Sequence, residues 1–263
     1  MTPGATPDAP VLLERTDDFA TITLNNPAKR NALSLSVMKL LIASLEEASS
    51  MDGVRGIVLA ATGPVFSAGH DFADMAGQDL PFLRRLLRTC TDLMTLVQEV
   101  PQPTIAKVHA FATAAGCQLV ASCDLAIAAE SAGFALPGGR AGIFCTTPLV
   151  AVARNIGRKR ALELAFTGDP ITAATAAEWG LINRAVPDAE LDAATLDLIT
   201  RATRGSAFAK ALGKAAFYTQ VDLDQPKAYA FAIEAMAMNA AAEDGREGMA
   251  SFMEKRLPVW TNR

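Results

Sequence analysis

An α/β core followed by a helical C-terminal region is the fold class that this 263-residue sequence predicts, and three observations carry the prediction. Strand-like runs alternate with stretches of helical period from the N-terminus to about residue 186, the pattern of an α/β protein rather than a bundle. Beyond Glu190 the pattern turns helical alone. Hydrophobic residues make up 51% of the chain and charged residues 20%, a balance that buries a large core and is too apolar for a disordered chain.

Each element has a local cause. The opening MTPGATPDAP carries three prolines and no leader-like pattern, so residues 1–10 are expected to be a flexible tail. Residues 11–15 and 19–24 alternate β-branched and polar side chains about Asp17 and Asp18 and form a hairpin. After the Asn25-Asn26-Pro27 break, Ser34 or Ser36 caps a helix to about residue 49, with Val37, Leu40, Leu41 and Leu45 on one face. Residues 54–60 form a buried strand and 62–75 a loop. Leu83, Leu86, Leu87, Cys90, Leu93, Met94 and Val97 then recur at helical spacing until Pro101 and Pro103 stop the helix. A strand at 104–108, a helix near 114–121 and a strand at 124–128 repeat the alternation. Thr172 caps and Gly180 ends a further helix; residues 181–186 form a last strand, and 190–255 hold three or four helices. The core is expected over 11–200 and a helical appendage over 201–263.

Composition excludes several functions. Twenty-four Lys and Arg against 28 Asp and Glu give a net charge of −4, without the basic excess that phosphate neutralisation requires, so nucleic acid is not an expected partner. Cys90, Cys117, Cys123 and Cys145 form no CxxC pair, and His70 and His109 are the only histidines, so no metal site and no cofactor is expected. The cysteines read as reduced thiols. No run of about 18 apolar residues occurs, so no membrane span is expected, and the protein is expected to be cytoplasmic. GxSxG, GxxxxGK and HExxH are all absent, and Gly138, Gly139 and Gly142 do not have dinucleotide-fingerprint spacing.

Two turns rich in small residues stand out, Phe66-Ser67-Ala68-Gly69-His70-Asp71 and Ala112-Thr113-Ala114-Ala115-Gly116-Cys117-Gln118. Both follow buried strands, and the second opens a helix whose first N–H groups have no internal partner. Two such donors converging on one carbonyl would stabilise an oxyanion or enolate; tight packing turns would look the same in sequence.

These residues resemble the crotonase, or enoyl-CoA hydratase/isomerase, superfamily over almost the whole chain. Asn26-Pro27-Ala28-Lys29-Arg30-Asn31-Ala32-Leu33, both turns, Phe166-Thr167-Gly168, Glu178-Trp179-Gly180-Leu181-Ile182 and Phe252-Met253-Glu254-Lys255-Arg256 follow its order and spacing. The resemblance implies a spiral of ββα units, a C-terminal helical trimerisation region, a homotrimer or dimer of trimers, and acyl-CoA thioesters of fatty acid metabolism as ligands. It places the two oxyanion N–H donors at His70 and Ala115. It also places Ala68 near the adenine, Lys29 near the CoA phosphates and Lys255 at a neighbour's ligand; Ala32, Asp71 and Cys145 complete the expected substrate-binding set. As bland alternatives, Lys29 and Lys255 are solvated charges and Asp71 merely fixes its own loop.

The departures limit what can be transferred. Family hydratases place two glutamates for water activation and proton shuttling where this chain has Gln118 and Gly138. General acid/base catalysis typically contributes about 10²- to 10⁴-fold, so ordinary hydration is expected to be feeble. Restoring both carboxylates by Gln118→Glu and Gly138→Glu is expected to raise it, and Ala115→Pro to remove one oxyanion donor. The segment Ala114-Ala115-Gly116-Cys117-Gln118, with Phe144-Cys145-Thr146-Thr147-Pro148 downstream, is similar to the enoyl-CoA-hydratase-domain-containing subgroup known from mitochondria. Candidate replacements are the His70 imidazole and the Cys145 and Cys117 thiols, although a buried thiol is usually inert. His109 and Asp124 read as structural. The functional expectation is an acyl-CoA-binding protein with weak or altered hydratase chemistry; the alternatives are an acyl-CoA decarboxylase or a noncatalytic acyl-CoA sensor.

Overall fold

The structure is a computed structural model that describes residues 8–263. Residues 1–7 of the expected tail lie outside the described residues. Its last two residues are fastened rather than loose: the Pro10 and Ala9 carbonyls accept from the Asn25 backbone N–H at 2.8 Å and its side-chain amide at 3.1 Å.

Strands β1 (Val11–Thr16) and β2 (Phe19–Leu24) form the expected antiparallel hairpin, turning at Asp17 with φ 51°. Ser34 Oγ accepts from Val37 N–H at 3.2 Å and caps α1 (Leu35–Ser50), which settles the choice between the two serines. There follow β3 (Gly56–Ala61), β4 (Val65–Ser67), α2 (Phe72–Met75) and the long α3 (Leu80–Glu99). The next turn of the chain is β5 (Thr104–Val108), β6 (Phe111–Thr113) and α4 (Ala115–Ser122). A third contains β7 (Leu125–Ala129), β8 (Gly133–Ala135), a 3-10 turn at Pro137–Ala141, α5 (Thr146–Ile156) and α6 (Arg158–Thr167).

The fold is therefore a ββα spiral. The first strand of each unit joins a six-stranded sheet of order β1-β2-β3-β5-β7, completed at its far edge by β10 (Arg184–Val186). The second strand joins a four-stranded sheet of order β4-β6-β8, completed by the short β9 (Ile171–Thr172). The pairings between successive turns of the spiral are parallel, and among the described strands only β1-β2 and β8-β9, at the sheet edges, are antiparallel. Each helix returns the chain to the next turn, which keeps the apolar residues of both sheets and of α1, α3, α4 and α5 in one continuous core.

Between β9 and β10, α7 (Ala173–Trp179) begins at Thr172 and ends at a left-handed Gly180, the two signals read in the sequence. The helix α8 (Leu191–Ala202) covers the outer face of the large sheet, where Ile199 packs with Val58 and Ile105. Three further helices, α9 (Ala207–Gln220), α10 (Gln225–Ala241) and α11 (Glu243–Glu254), complete the chain. The loop expected over 62–75 contains β4 and α2, elements too short to show a period.

Candidate active site

The first small-residue turn leaves β4 at Ser67, and its backbone is held from three directions. Ala68 N–H donates to Arg30 O at 3.0 Å, Gly69 O accepts from Leu33 N–H at 2.7 Å, and Ala68 O accepts from Thr113 Oγ1 at 3.0 Å. Asp71 then caps α2 by accepting from Ala73 N–H at 3.0 Å. The His70 N–H, in contrast to those of Ala68 and Gly69, has no acceptor among the described residues.

The second turn owes its shape to Ala114, at φ 49° and ψ −119°, a conformation normally left to glycine. Its N–H is fixed on Ala135 O at 2.9 Å, and the first N–H of α4, that of Ala115, has no acceptor among the described residues. The two turns touch at Gly69. At φ 85°, a Cβ on Gly69 would lie 2.9 Å from Ala114 Cβ and 3.1 Å from Ala115 N, so only glycine lets them approach this closely.

Beside them lies a cavity of about 430 Å³, lined mainly by apolar groups. Ala68, His70, Ala115, Gly138 and Cys145 of the expected site all line it. The others stand elsewhere. Lys29 is exposed and pairs with Asp71 at 3.6 Å outside the lining, and Ala32 serves the backbone by donating to Lys29 O at 3.1 Å. Lys255 is exposed at the left-handed end of α11 and has no ion-pair partner among the described residues. Gln118, which stands where family hydratases have a glutamate, is buried outside the cavity lining, where its Oε1 faces the Cys90 thiol at 3.9 Å.

The expected rescue at Gly138 also needs correction. Ile143 N–H donates to Gly138 O at 2.9 Å, which folds 143–145 back over the 3-10 turn. A Cβ on Gly138 would lie 2.1 Å from Ile143 O and 2.7 Å from Cys145 Sγ. A glutamate there would have to displace backbone. Likewise Ala115→Pro is a poor probe, because the residue before a proline is confined to extended backbone and Ala114 is not extended.

The ionisable side chains of the lining are His70, Arg140 and Cys145; no carboxylate is among them. His70 Nδ1 faces Leu33 O at 3.4 Å and must donate there, so Nε2 carries the lone pair of the neutral ring. That Nε2 is buried without a partner among the described residues. Burial holds the imidazole below its usual pKa, more than the Leu33 carbonyl raises it. Burial pushes the Cys145 thiol up, partly opposed by a backbone hydrogen bond from Gly138. Cys117 and Cys90, deeper in the core, are pushed up to about 12 by burial. Arg140 pairs with Asp169 at the rim. The other histidine, His109, bonds Gly63 O through Nε2 at 2.7 Å and lies outside the lining, as its structural reading expects.

A ββα spiral with an apolar cavity beside its two small-residue turns defines the crotonase-like class of α/β proteins. The chain belongs to the enoyl-CoA hydratase/isomerase family, whose model matches residues 14–263. It is similar to enoyl-CoA hydratase domain-containing protein 3, mitochondrial, of Mus musculus, with 42% identity over 94% of this chain and 82% of the mouse protein. The 2,3-dehydroadipyl-CoA hydratase of Escherichia coli is 31% identical over 96% of this chain and 99% of its own. Among solved structures, an enoyl-CoA hydratase of Mycobacterium smegmatis superimposes with a TM-score of 0.93 at 41% identity, covering 96% of this chain and 99% of that one.

These relatives correct the expected location. The mouse protein and its rat and human counterparts carry "mitochondrial" in their names, so the cytoplasmic assignment does not stand. The features behind it, reduced cysteines and no helix among the described residues long and apolar enough to cross a membrane, specify no compartment.

Proposed function

We propose that the chain binds an acyl-CoA thioester with its carbonyl oxygen between the His70 and Ala115 N–H groups and stabilises the enolate form of the acyl group. The observation that carries this reading is the contact of the two turns at Gly69, which brings both unused donors to one cavity wall. Donors fixed in advance in an apolar site favour the charge that develops on oxygen and need no reorganisation. The similarity to a 2,3-dehydroadipyl-CoA hydratase and an enoyl-CoA hydratase supports the substrate class.

The reaction is an altered one. Hydration through paired carboxylates requires groups that the lining lacks, whereas enolate chemistry that starts by loss of carbon dioxide requires only the oxyanion donors and a source of protons. The same lack of carboxylates favours a second reading, a noncatalytic acyl-CoA-binding protein. No resident cofactor enters either reading, since coenzyme A arrives with the substrate. The active form is a homotrimer or a pair of trimers, built through the C-terminal helices.

Isotope-edited infrared spectroscopy of a ¹³C-labelled acyl-CoA separates these readings. The bound thioester carbonyl is expected to absorb at lower frequency than the free one, and an enolate mimic to bind at least about 10²-fold tighter than the thioester. An unshifted carbonyl band would remove the oxyanion assignment. A shifted band with equal affinities for mimic and thioester would favour the binding protein.

A further inference from the structure

We propose that Cys145 is the catalytic proton donor, delivering a proton from its thiol to the α-carbon of the bound enolate; the proposal rests on the thioester reading above. Cys145 opens α5 and lines the same cavity as Ala115. Its sulfur fills the space over Gly138, 2.7 Å from where a Cβ would stand, so the absence of a side chain at 138 is what seats the thiol at the cavity wall. Ile143 O stands 2.1 Å from the same point, and the Cys145 O···H–N Leu149 bond of 3.1 Å ties the residue into α5. The position is built by backbone.

The other ionisable side chains of the lining do not fit the role. Arg140 does not release its proton, and it is engaged by Asp169. The neutral His70 ring has its one proton on Nδ1, directed to Leu33 O, so its free Nε2 has no proton to give. The Asp71 carboxylate, on the same loop, is turned to Ala73 N–H and Lys29 and lies outside the lining. Burial keeps the Cys145 thiol protonated at neutral pH, and the backbone hydrogen bond from Gly138 favours the thiolate left after transfer.

The step balances without a co-reactant. The electron pair of the enolate C=C forms the new C–H bond as the S–H bond breaks, the thioester carbonyl re-forms, and the thiolate takes a proton from water. Run in reverse in D₂O, it exchanges one α-hydrogen of a saturated acyl-CoA.

The experiment follows deuterium uptake at the α-carbon of butyryl-CoA in D₂O by mass spectrometry, with butyryl-CoA affinity measured on the same samples by calorimetry. Wild type is expected to exchange a single α-hydrogen, faster as pH rises above neutral because the reverse step needs the thiolate. At saturating butyryl-CoA, with the affinity of each variant measured to set that concentration, Cys145→Ser and Cys145→Ala are expected to lose at least about 10²-fold in exchange rate. Undiminished exchange in both variants overturns the proposal, as does loss on His70→Gln but not on Cys145→Ala. A wild type that binds with a shifted carbonyl band but exchanges nothing also overturns it while leaving the thioester reading intact. Failure to bind at all would count against that reading itself. A stable butyryl adduct on Cys145 would show a nucleophile in place of a proton donor.

Discussion

His70 carries two roles that separate cleanly by atom, a backbone N–H at the cavity and a ring held neutral by burial. The pH dependence of the second follows from linkage. In the unfolded chain the imidazole takes a proton near its ordinary 6.5, while in the fold it resists protonation to lower pH. Below 6.5 the unfolded state therefore binds more protons, and stability falls as pH falls through the window beneath that value. Urea unfolding at about pH 7.5 and about pH 5.5 is expected to show a larger loss for wild type than for His70→Gln, whose side chain does not titrate. Equal losses would mean that the ring is hydrated in the native state. Legibility at this scale was uneven. Both small-residue turns stood out in sequence because their composition is a local fact, while the choice of His70 and Ala115 within them came from the family resemblance. The filling of Gly138 was not legible, since it depends on a 3-10 turn folding residue 143 onto residue 138. Nor was the withdrawal of Gln118, whose partner Cys90 is 28 residues away.

Elements were legible where their signals exceeded one turn. The apolar series from Leu83 to Val97 and the Thr172 to Gly180 helix came through because period and caps act within the segment. Strands β4, β6 and β8 have three residues each, too few to show alternation, and their pairing partners come from other turns of the spiral. The docking of α9 shows what sequence leaves out. Lys214 and Tyr218 reach from it to Asp124, at 2.7 Å and 2.8 Å, where the carboxylate also accepts from Thr104 N–H and Oγ1. Lys214 further donates to Val97 O and Gln102 O, each at 2.9 Å. Burial lowers its pKa more than Asp124 raises it, so the pair stands in a poorly solvated place. Asp124→Asn leaves an ammonium without its counter-charge and is expected to cost about 3 kcal/mol. Lys214→Met leaves a carboxylate still served by Thr104 and Tyr218 and should cost about 2 kcal/mol. Denaturant unfolding of the double variant is expected to show less destabilisation than the sum of the two by about 1 kcal/mol or more. Strict additivity would mean that the two groups do not share a network.

At the scale of the molecule, the C-terminal helices present apolar residues that the chain itself does not cover. Phe252, Met253 and Leu257 are 81%, 79% and 88% exposed, and Met236 on α10 is 73% exposed. A loose tail would explain such exposure, but this tail is pinned. Asp244 accepts from the backbone N–H groups of Thr261 and Asn262, and Glu247 takes the Arg256 guanidinium in a fork as well as Val259 N–H. Apolar side chains held rigidly in water lose hydration free energy without the entropy of a mobile segment, which is the condition of a surface shaped for another protein surface. The partner expected from the family resemblance is a second and third copy of the chain. Light scattering on the purified protein should then give a particle of three, or two sets of three, times the 27.6 kDa chain. Phe252→Asp combined with Met253→Asp places two charges on that surface without touching the core, so it should shift the mass toward a single chain while far-ultraviolet dichroism stays unchanged. A wild-type mass of one chain at micromolar concentration would refute the trimer, and the pinned apolar ledge would then have to be matched by a different protein.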